Sequence, residues 1–349
     1  MNARLNELLK QTSRSFHLTL RVLPRAIRSQ IGLAYLLART TDTIADTELL
    51  PVEQRLQALQ QLRERILGTS NSPLNFGELA RQQGASAERG LLEHVEESLA
   101  ALSTLSSADL KLARKTLHTI TGGQELDLRR FAGASTEKIV VLQTDSELDD
   151  YTYRVAGCVG EFWTEMCVAH EFRLVVLDGF WLPATFTALG VRFGKGLQLV
   201  NILRDLPADL RKGRCYLPVA RLAEAGLKPD DLLAPANEPK FRPLYNRYLD
   251  FAEAHLAAGW QYTNLIPFNH LRIRLACAWP ILIGIETIKR LRTEPVLDPT
   301  RRVKVSRAEL RGIIARSLLR YVWPPAWRRL FPPHDPAFWK AVASGEDFK

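Results

Sequence analysis

The chain has 349 residues, a length that as a crude prior predicts about two domains, and its 46% hydrophobic and 24% charged content is the usage of an ordinary globular protein with a large core. The first sixteen residues, "MNARLNELLKQTSRSF", show neither an apolar leader segment nor a small-residue cleavage site, and the longest uncharged apolar run, "LACAWPILIGI" (275–285), is too short to span a bilayer. The net charge of +9 is unevenly placed: between Arg301 and Leu330, nine basic residues face a single acid, Glu309. Such a patch suits a membrane surface, nucleic acid or a polyanionic substrate, or is a solvated basic helix face.

Helical periodicity predicts helices near 24–47, 52–67, 87–104, 107–122, 136–143, 147–172, 187–206, 242–263, 271–291 and 306–321. No alternating strand run with hairpin turns and no βαβ rhythm is present. Loop composition marks 68–86, 226–243, 292–300 and the Pro/Trp-rich stretch beyond 323, but none of these separates regions of distinct composition. One all-α domain is expected over 1–300, followed by a basic, Pro- and Trp-rich C-terminal helix and tail, 301–349. Four cysteines (Cys158, Cys167, Cys215, Cys277) form no CxxC pair and no zinc spacing, which suits core positions in a reducing cytoplasm.

In "YLLARTTDTIADT" (35–47), Tyr35, Arg39, Asp42 and Asp46 fall at i, i+4, i+7 and i+11, one stripe along a helix whose other faces carry Ile31, Leu33, Leu36, Leu37 and Ile44. A helix that apolar is buried, and buried carboxylates need partners. Arg39 can neutralise one of the two acids, and the other calls for a further cation. An interhelical salt bridge or a helix end at the surface would also satisfy the pattern. A second stretch repeats it: in "GLQLVNILRDLPADLRKGRCYLP" (196–218), Gln198, Asn201, Asp205 and Asp209 fall at i, i+3, i+7 and i+11, followed by Arg211, Lys212 and Arg214. Two facing carboxylate stripes suit Mg²⁺, which takes a few carboxylates and completes its octahedron with phosphate oxygens. Neighbouring Arg and Lys supply further phosphate contacts. No GxxxxGK[ST] loop is present. The pattern points to diphosphate held through Mg²⁺. Pro207 lies between the last two acids, and an interior proline usually kinks or ends a helix. Asp209 is therefore expected to depart from the regular stripe.

At these residues the sequence resembles the squalene/phytoene synthases, the head-to-head prenyl transferases. The motifs "SRSF" (13–16), "YLLARTTDTIAD" (35–46), "YTYRVAGCVG" (151–160) and "QLVNILRDLPADLRKGRCYLP" (198–218) occur in order, and the likeness extends over about 10–290. The resemblance implies an all-α isoprenoid-synthase helical bundle around a central apolar cavity. It implies Mg²⁺ on Asp42, Asp46, Asn201, Asp205 and Asp209. It implies diphosphate contacts from Ser13, Arg14, Tyr35, Arg39, Gln198, Arg204 and Arg214, with Tyr151 beside the reacting carbons. The expected reaction condenses two farnesyl diphosphates through presqualene diphosphate, with NADPH reducing it to squalene. Without reduction the product would be dehydrosqualene or, from C20 substrates, phytoene. Aromatic faces such as Tyr151, Tyr153, Phe162 and Trp163 could steady an allylic cation by about 1–2 kcal/mol each.

Glu125 and Asp127 in "GGQELDLRR" are expected as helix-surface acids paired with Arg129 or Arg130, or else as reaching the cavity. "DSELDDY" (145–151) reads as an N-cap and acidic first turn. The mixture of Arg, Trp, Tyr and Leu in 301–331 suits either peripheral contact with the inner face of a membrane or a packed basic helix. A nucleic-acid-binding role has the basic patch in its favour but no recognisable nucleic-acid motif, and it would leave both acidic stripes unexplained. No nucleic-acid partner is expected. A non-catalytic homologue is opposed by the intact acids at 42, 46 and 205.

Overall fold

The computed structural model describes residues 1–13, 16–172 and 183–344. The chain forms two compact units, one of Met1–Ala132 with Glu161–Trp181, the other of Gly133–Gly160 with Leu182–Lys349.

In the first unit the chain runs through α1 (Ala3–Thr12), α2 (Phe16–Val22), α3 (Arg25–Ala45), α4 (Val52–Leu67), α5 (Gly77–Arg81), α6 (Ser86–Glu93), α7 (Val95–Ser103) and α8 (Ser107–Arg130). α3 is the axial element: it packs against α1, α4, α6, α7 and α8. Its Ile31, Leu33, Leu36, Leu37 and Ile44 are all buried, as the all-round apolar pattern predicts. Each such side chain contributes about 1.5–3 kcal/mol relative to exposure. The single helix expected over 87–104 is two helices. They part at His94, whose backbone (φ −109°, ψ 21°) leaves the helical region. α8 runs eight residues beyond its expected end at 122. Gly122 and Gly123 each disfavour helix by about 1 kcal/mol relative to Ala. Burial of Gln124, Glu125 and Leu128 on the next turn outweighs that.

The second unit begins with β1 (Val140–Val141) and α9 (Asp145–Thr152). α9 continues through one π-helical turn, Tyr153–Gly157, into α10 (Cys158–His170), whose residues from Glu161 onward belong to the first unit. α11 (Pro183–Arg211), β2 (Arg214–Cys215), α12 (Val219–Glu224), α13 (Glu238–Leu265), α14 (Leu271–Thr293), α15 (Arg307–Tyr321), α16 (Pro324–Arg328) and α17 (Pro336–Ser344) follow. α11, α13 and α14 pack on one another to form its core. The helix expected over 136–143 is absent. There, the β-branched Val140 and Val141 pair in parallel with Arg214 and Cys215. The N-cap of α9 is Thr144, whose side chain accepts from the Glu147 amide, with Asp145 and Glu147 in the first turn. All four cysteines are free and buried.

Two features let α11 carry its stripe as one continuous helix. Small residues allow close approach: a Cβ at Gly194 would stand 2.2 Å from the Ala156 carbonyl oxygen, and one at Gly160 would stand 1.9 Å from that of Gly190. The second feature concerns Pro207, which contrary to expectation neither ends nor divides α11. Proline offers no N–H to the carbonyl four residues earlier, Leu203. The buried Tyr245 of α13 donates its hydroxyl to that carbonyl oxygen at 3.0 Å. Asp209 therefore stands one helical turn beyond Asp205. Tyr245→Phe is expected to cost about 1–2 kcal/mol in the parent chain by orphaning this carbonyl. In a Pro207→Ala background the cost should be smaller, because residue 207 then supplies the bond. Urea unfolding of the four proteins measures the coupling, and strictly additive costs would refute it.

Candidate active site

In the first unit, α3 delivers Tyr35, Arg39 and Asp42 on one face and ends at Ala45, with Asp46 as its C-cap. Both carboxylates thus sit at the carbonyl end of the helix, the negative pole of its dipole. Solvent reaches 45% of the Asp42 side chain. Yet lost hydration, reinforced by the Asp46 charge, pushes its carboxyl up to about 7. Arg39 stands 3.6 Å from Asp42 but only 2.7 Å from Glu88 of α6. The neutralising role expected of Arg39 is therefore shared with an acid that local spacing gave no reason to choose.

The main residue that sequence reasoning missed is Gln124. From α8 it donates Nε2 to Asp42 Oδ1, while its own Oε1 is buried without a hydrogen-bond partner. It lies inside the "GGQELD" stretch, where the acids carry the more obvious chemical signal. The adjacent Glu125 is not a surface acid: it is 6% exposed and paired to Arg63 of α4 at 3.0 Å, with Arg129 at 4.0 Å. Tyr35 donates to the Thr12 carbonyl at the end of α1 and stacks on Phe16. That places it beside Ser13, whose Oγ is also buried without a partner. Arg14 lies outside the described residues. Phe162 and Trp163 are buried.

In the second unit, α11 carries Gln198 half-buried, Asn201 exposed, and Asp205 and Asp209 half-buried. Arg204 grips its own neighbour: Nε and Nη2 donate to the two oxygens of Asp205 at 3.0 and 2.5 Å. The expected diphosphate ligand and the expected metal ligand are thus held by each other. Gly213, at φ +73°, turns the chain from α11 into β2, and a Cβ there would lie 2.3 Å from the Ser135 carbonyl oxygen. This turn sets Arg214 opposite Val140. Tyr151 stacks on Tyr216 with ring centroids 4.7 Å apart. Lys195 already lies over the Tyr153 ring at 5.8 Å and is paired with Asp149.

Among the described residues no three His, Cys, Asp or Glu side chains are gathered closely enough to hold a metal ion. The Asp42–Asp46 pair nonetheless fits a hard divalent cation. Its donors are all oxygen, its charges repel at i,i+4, and Mg²⁺ commonly takes one or two carboxylates and leaves the rest to water and phosphate. The buried, unpartnered Gln124 and Ser13 oxygens stand in the same unit. No helix among the described residues is long and apolar enough to cross a membrane.

An all-α architecture carrying aspartate-ended stripes on two buried helices defines a protein of the isoprenoid-synthase class. A solved structure of ligand-bound TcSQS has the same fold, with a TM-score of 0.74 at 20% identity, covering 98% of this chain and 96% of that one. Residues 9–309 match the squalene/phytoene synthase family, and the chain belongs to that family, whose members are prenyltransferases. A presqualene diphosphate synthase from Rhodopseudomonas palustris is 30% identical over 253 residues, 72% of this chain and 75% of that protein. A bifunctional lycopene cyclase/phytoene synthase from Gibberella fujikuroi is 28% identical over 260 residues, 72% of this chain. The chain spans only 41% of the length of that fungal relative.

The Asp42 shift gives a signed expectation. The folded chain holds this proton more tightly than the unfolded one, so its contribution to stability falls as pH rises from about 4, the ordinary carboxylate value, through about 7. Asp42→Asn should flatten that slope. Mg²⁺ should raise the Tm of the parent more at about pH 8 than at about pH 5, where Asp42 is protonated. Thermal melts with Mg²⁺ or EDTA check this, and an equal Mg²⁺ response in parent and variant would contradict it.

Proposed function

We propose that the chain joins two molecules of farnesyl diphosphate head to head into presqualene diphosphate, then reduces that intermediate with NADPH to squalene. The observation that carries the first step is the Asp42–Asp46 pair at the carbonyl end of α3, with one carboxyl displaced to about 7, in a chain of this family. Asp42, Asp46, Asn201, Asp205 and Asp209 are the residues that would hold Mg²⁺. When bound, Mg²⁺ offsets the charge on a departing diphosphate. Ser13, Arg14, Tyr35, Arg39, Gln198, Arg204 and Arg214 would bind and orient the diphosphates. As the carbon–oxygen bond breaks, the electron pair leaves with the diphosphate, and fixed guanidinium groups stabilise that charge without reorganising. The allylic carbon left behind must be kept from water, a task for apolar walls and for the stacked Tyr151 ring. The likeness of "SRSF" and of 269–292 to bacterial squalene synthases supports the reductive second step. A second reading, in which the chain stops at presqualene diphosphate, is favoured by the Rhodopseudomonas relative. The hydrocarbon product has no soluble destination, and we read the protein as a peripheral membrane enzyme of the cytoplasmic side.

Purified protein incubated with farnesyl diphosphate and Mg²⁺ should yield squalene only when NADPH is added. Accumulation of the cyclopropyl diphosphate under both conditions would establish the second reading, and dehydrosqualene would establish a non-reductive synthase. Conversion of C20 substrate alone would make the product phytoene. EDTA should abolish all turnover. Asp42→Asn combined with Asp205→Asn should lower it by at least about a thousandfold, a barrier increase of about 4 kcal/mol; activity surviving in that variant would remove the metal assignment.

A further inference from the structure

Among its exposed arginines, α15 also turns large apolar side chains toward water. Its inner face, Ile313, Ser317 and Tyr321, is buried. The opposite face and the turn that follows carry Leu318 at 48% exposure, Leu319 at 78%, Val322 at 79% and Trp323 at 67%. Beside them the α13–α14 connection exposes Leu265, Phe268 and Leu271. The two groups form one surface. Phe268 stacks on Tyr321 with centroids 4.6 Å apart, and the Tyr321 hydroxyl donates to the Phe268 carbonyl. Arg274 fixes the junction from behind. It is 7% exposed, lies over the rings of Phe268, Tyr321 and Trp327 at 5.2–5.7 Å, and donates to the Ile266 carbonyl and to Asn264. A contiguous apolar surface held this rigidly is uncommon on a soluble monomer.

The charges around it have one sign. Arg311, Arg316 and Arg320 are exposed on α15, Arg328 and Arg329 follow it, and Arg272 flanks the other loop. Glu309, the single acid between 301 and 330, is already used: it closes a capping box with Ser306 and pairs with Arg290 at 2.5 Å. An apolar centre with an exposed tryptophan, ringed by arginines, matches the boundary between acyl chains and anionic headgroups. A cavity of about 1010 Å³, lined among others by Leu189, Trp260, Leu265 and Phe331 with Arg328 at its edge, shares Leu265 with this surface.

We propose that the surface built by Leu265, Phe268, Leu318, Leu319, Val322 and Trp323 docks the protein on an anionic lipid bilayer. The docking residues are these, and not the basic aromatic segment as a whole, because Trp327 and Phe331 of that segment are 1% and 2% exposed and packed on Trp260. The proposal deepens the peripheral-membrane reading given above and does not depend on which reaction the protein catalyses.

Co-sedimentation of the full chain with phosphatidylcholine vesicles, with and without phosphatidylglycerol, tests it. The parent should partition onto the anionic vesicles and fall off as salt is raised. Arg316→Gln with Arg320→Gln should weaken partitioning by about fivefold per charge. Leu319→Glu with Trp323→Glu should lower it at least about tenfold, with Tm and turnover in detergent unchanged. Equal sedimentation of parent and Leu319→Glu/Trp323→Glu overturns the proposal, as does binding indifferent to anionic lipid. A parent that is dimeric by gel filtration and becomes monomeric in that variant also overturns it, assigning the surface to a second copy of the chain. Vesicle binding by a protein inert toward farnesyl diphosphate would leave this proposal standing while the catalytic reading fell.

Discussion

Repulsion between two carboxylates at the carbonyl end of a buried helix is the constraint around which the first unit is arranged. Asp42 and Asp46 face each other across one turn, at the pole of α3 where the peptide dipoles are themselves negative. The surrounding residues moderate this without cancelling it. Gln124 donates to Asp42, and Arg39 divides its charge between Asp42 and Glu88. What remains is a site biased toward a proton or a divalent cation, on a helix whose other faces are fastened by apolar packing against its neighbouring helices. That packing keeps the two acids from relaxing apart.

The second unit solves a different problem, carrying a polar stripe along a long helix with a proline in its penultimate turn. Glycines at 160 and 194 let neighbouring backbones close on α11, and Tyr245 replaces the hydrogen bond that Pro207 removes. The π-helical turn at Tyr153–Gly157 begins two residues after Tyr151 and packs against α11. Single π-turns inside α-helices are frequent at functional sites.

Much of this was legible because it is local. A run that is apolar all round except for i, i+4, i+7 and i+11 can only be a buried helix with a polar seam, and both seams lie on helices. The misses have a common physical cause. Whether Pro207 breaks α11 is decided by Tyr245, 42 positions from the carbonyl it bonds, so no window around the proline contains the answer. Glu88 and Gln124 reach the α3 stripe from other helices, and nothing in their own neighbourhoods marks them. In the C-terminal segment, composition records that tryptophans are present but not which face they take. Trp327 enters the core while Trp323 stays outside.

The pairing of Arg204 with its neighbour Asp205 carries a thermodynamic consequence of its own. Each group is the other's competitor for an outside ligand. An anion that draws the guanidinium away frees the carboxylate, and a cation that takes the carboxylate frees the guanidinium. Binding of the two is therefore positively linked through a single turn of helix, and by reciprocity each must sharpen affinity for the other to the same degree. A contact of two adjacent side chains would thus favour occupation by cation and anion together over either alone, were both to bind there.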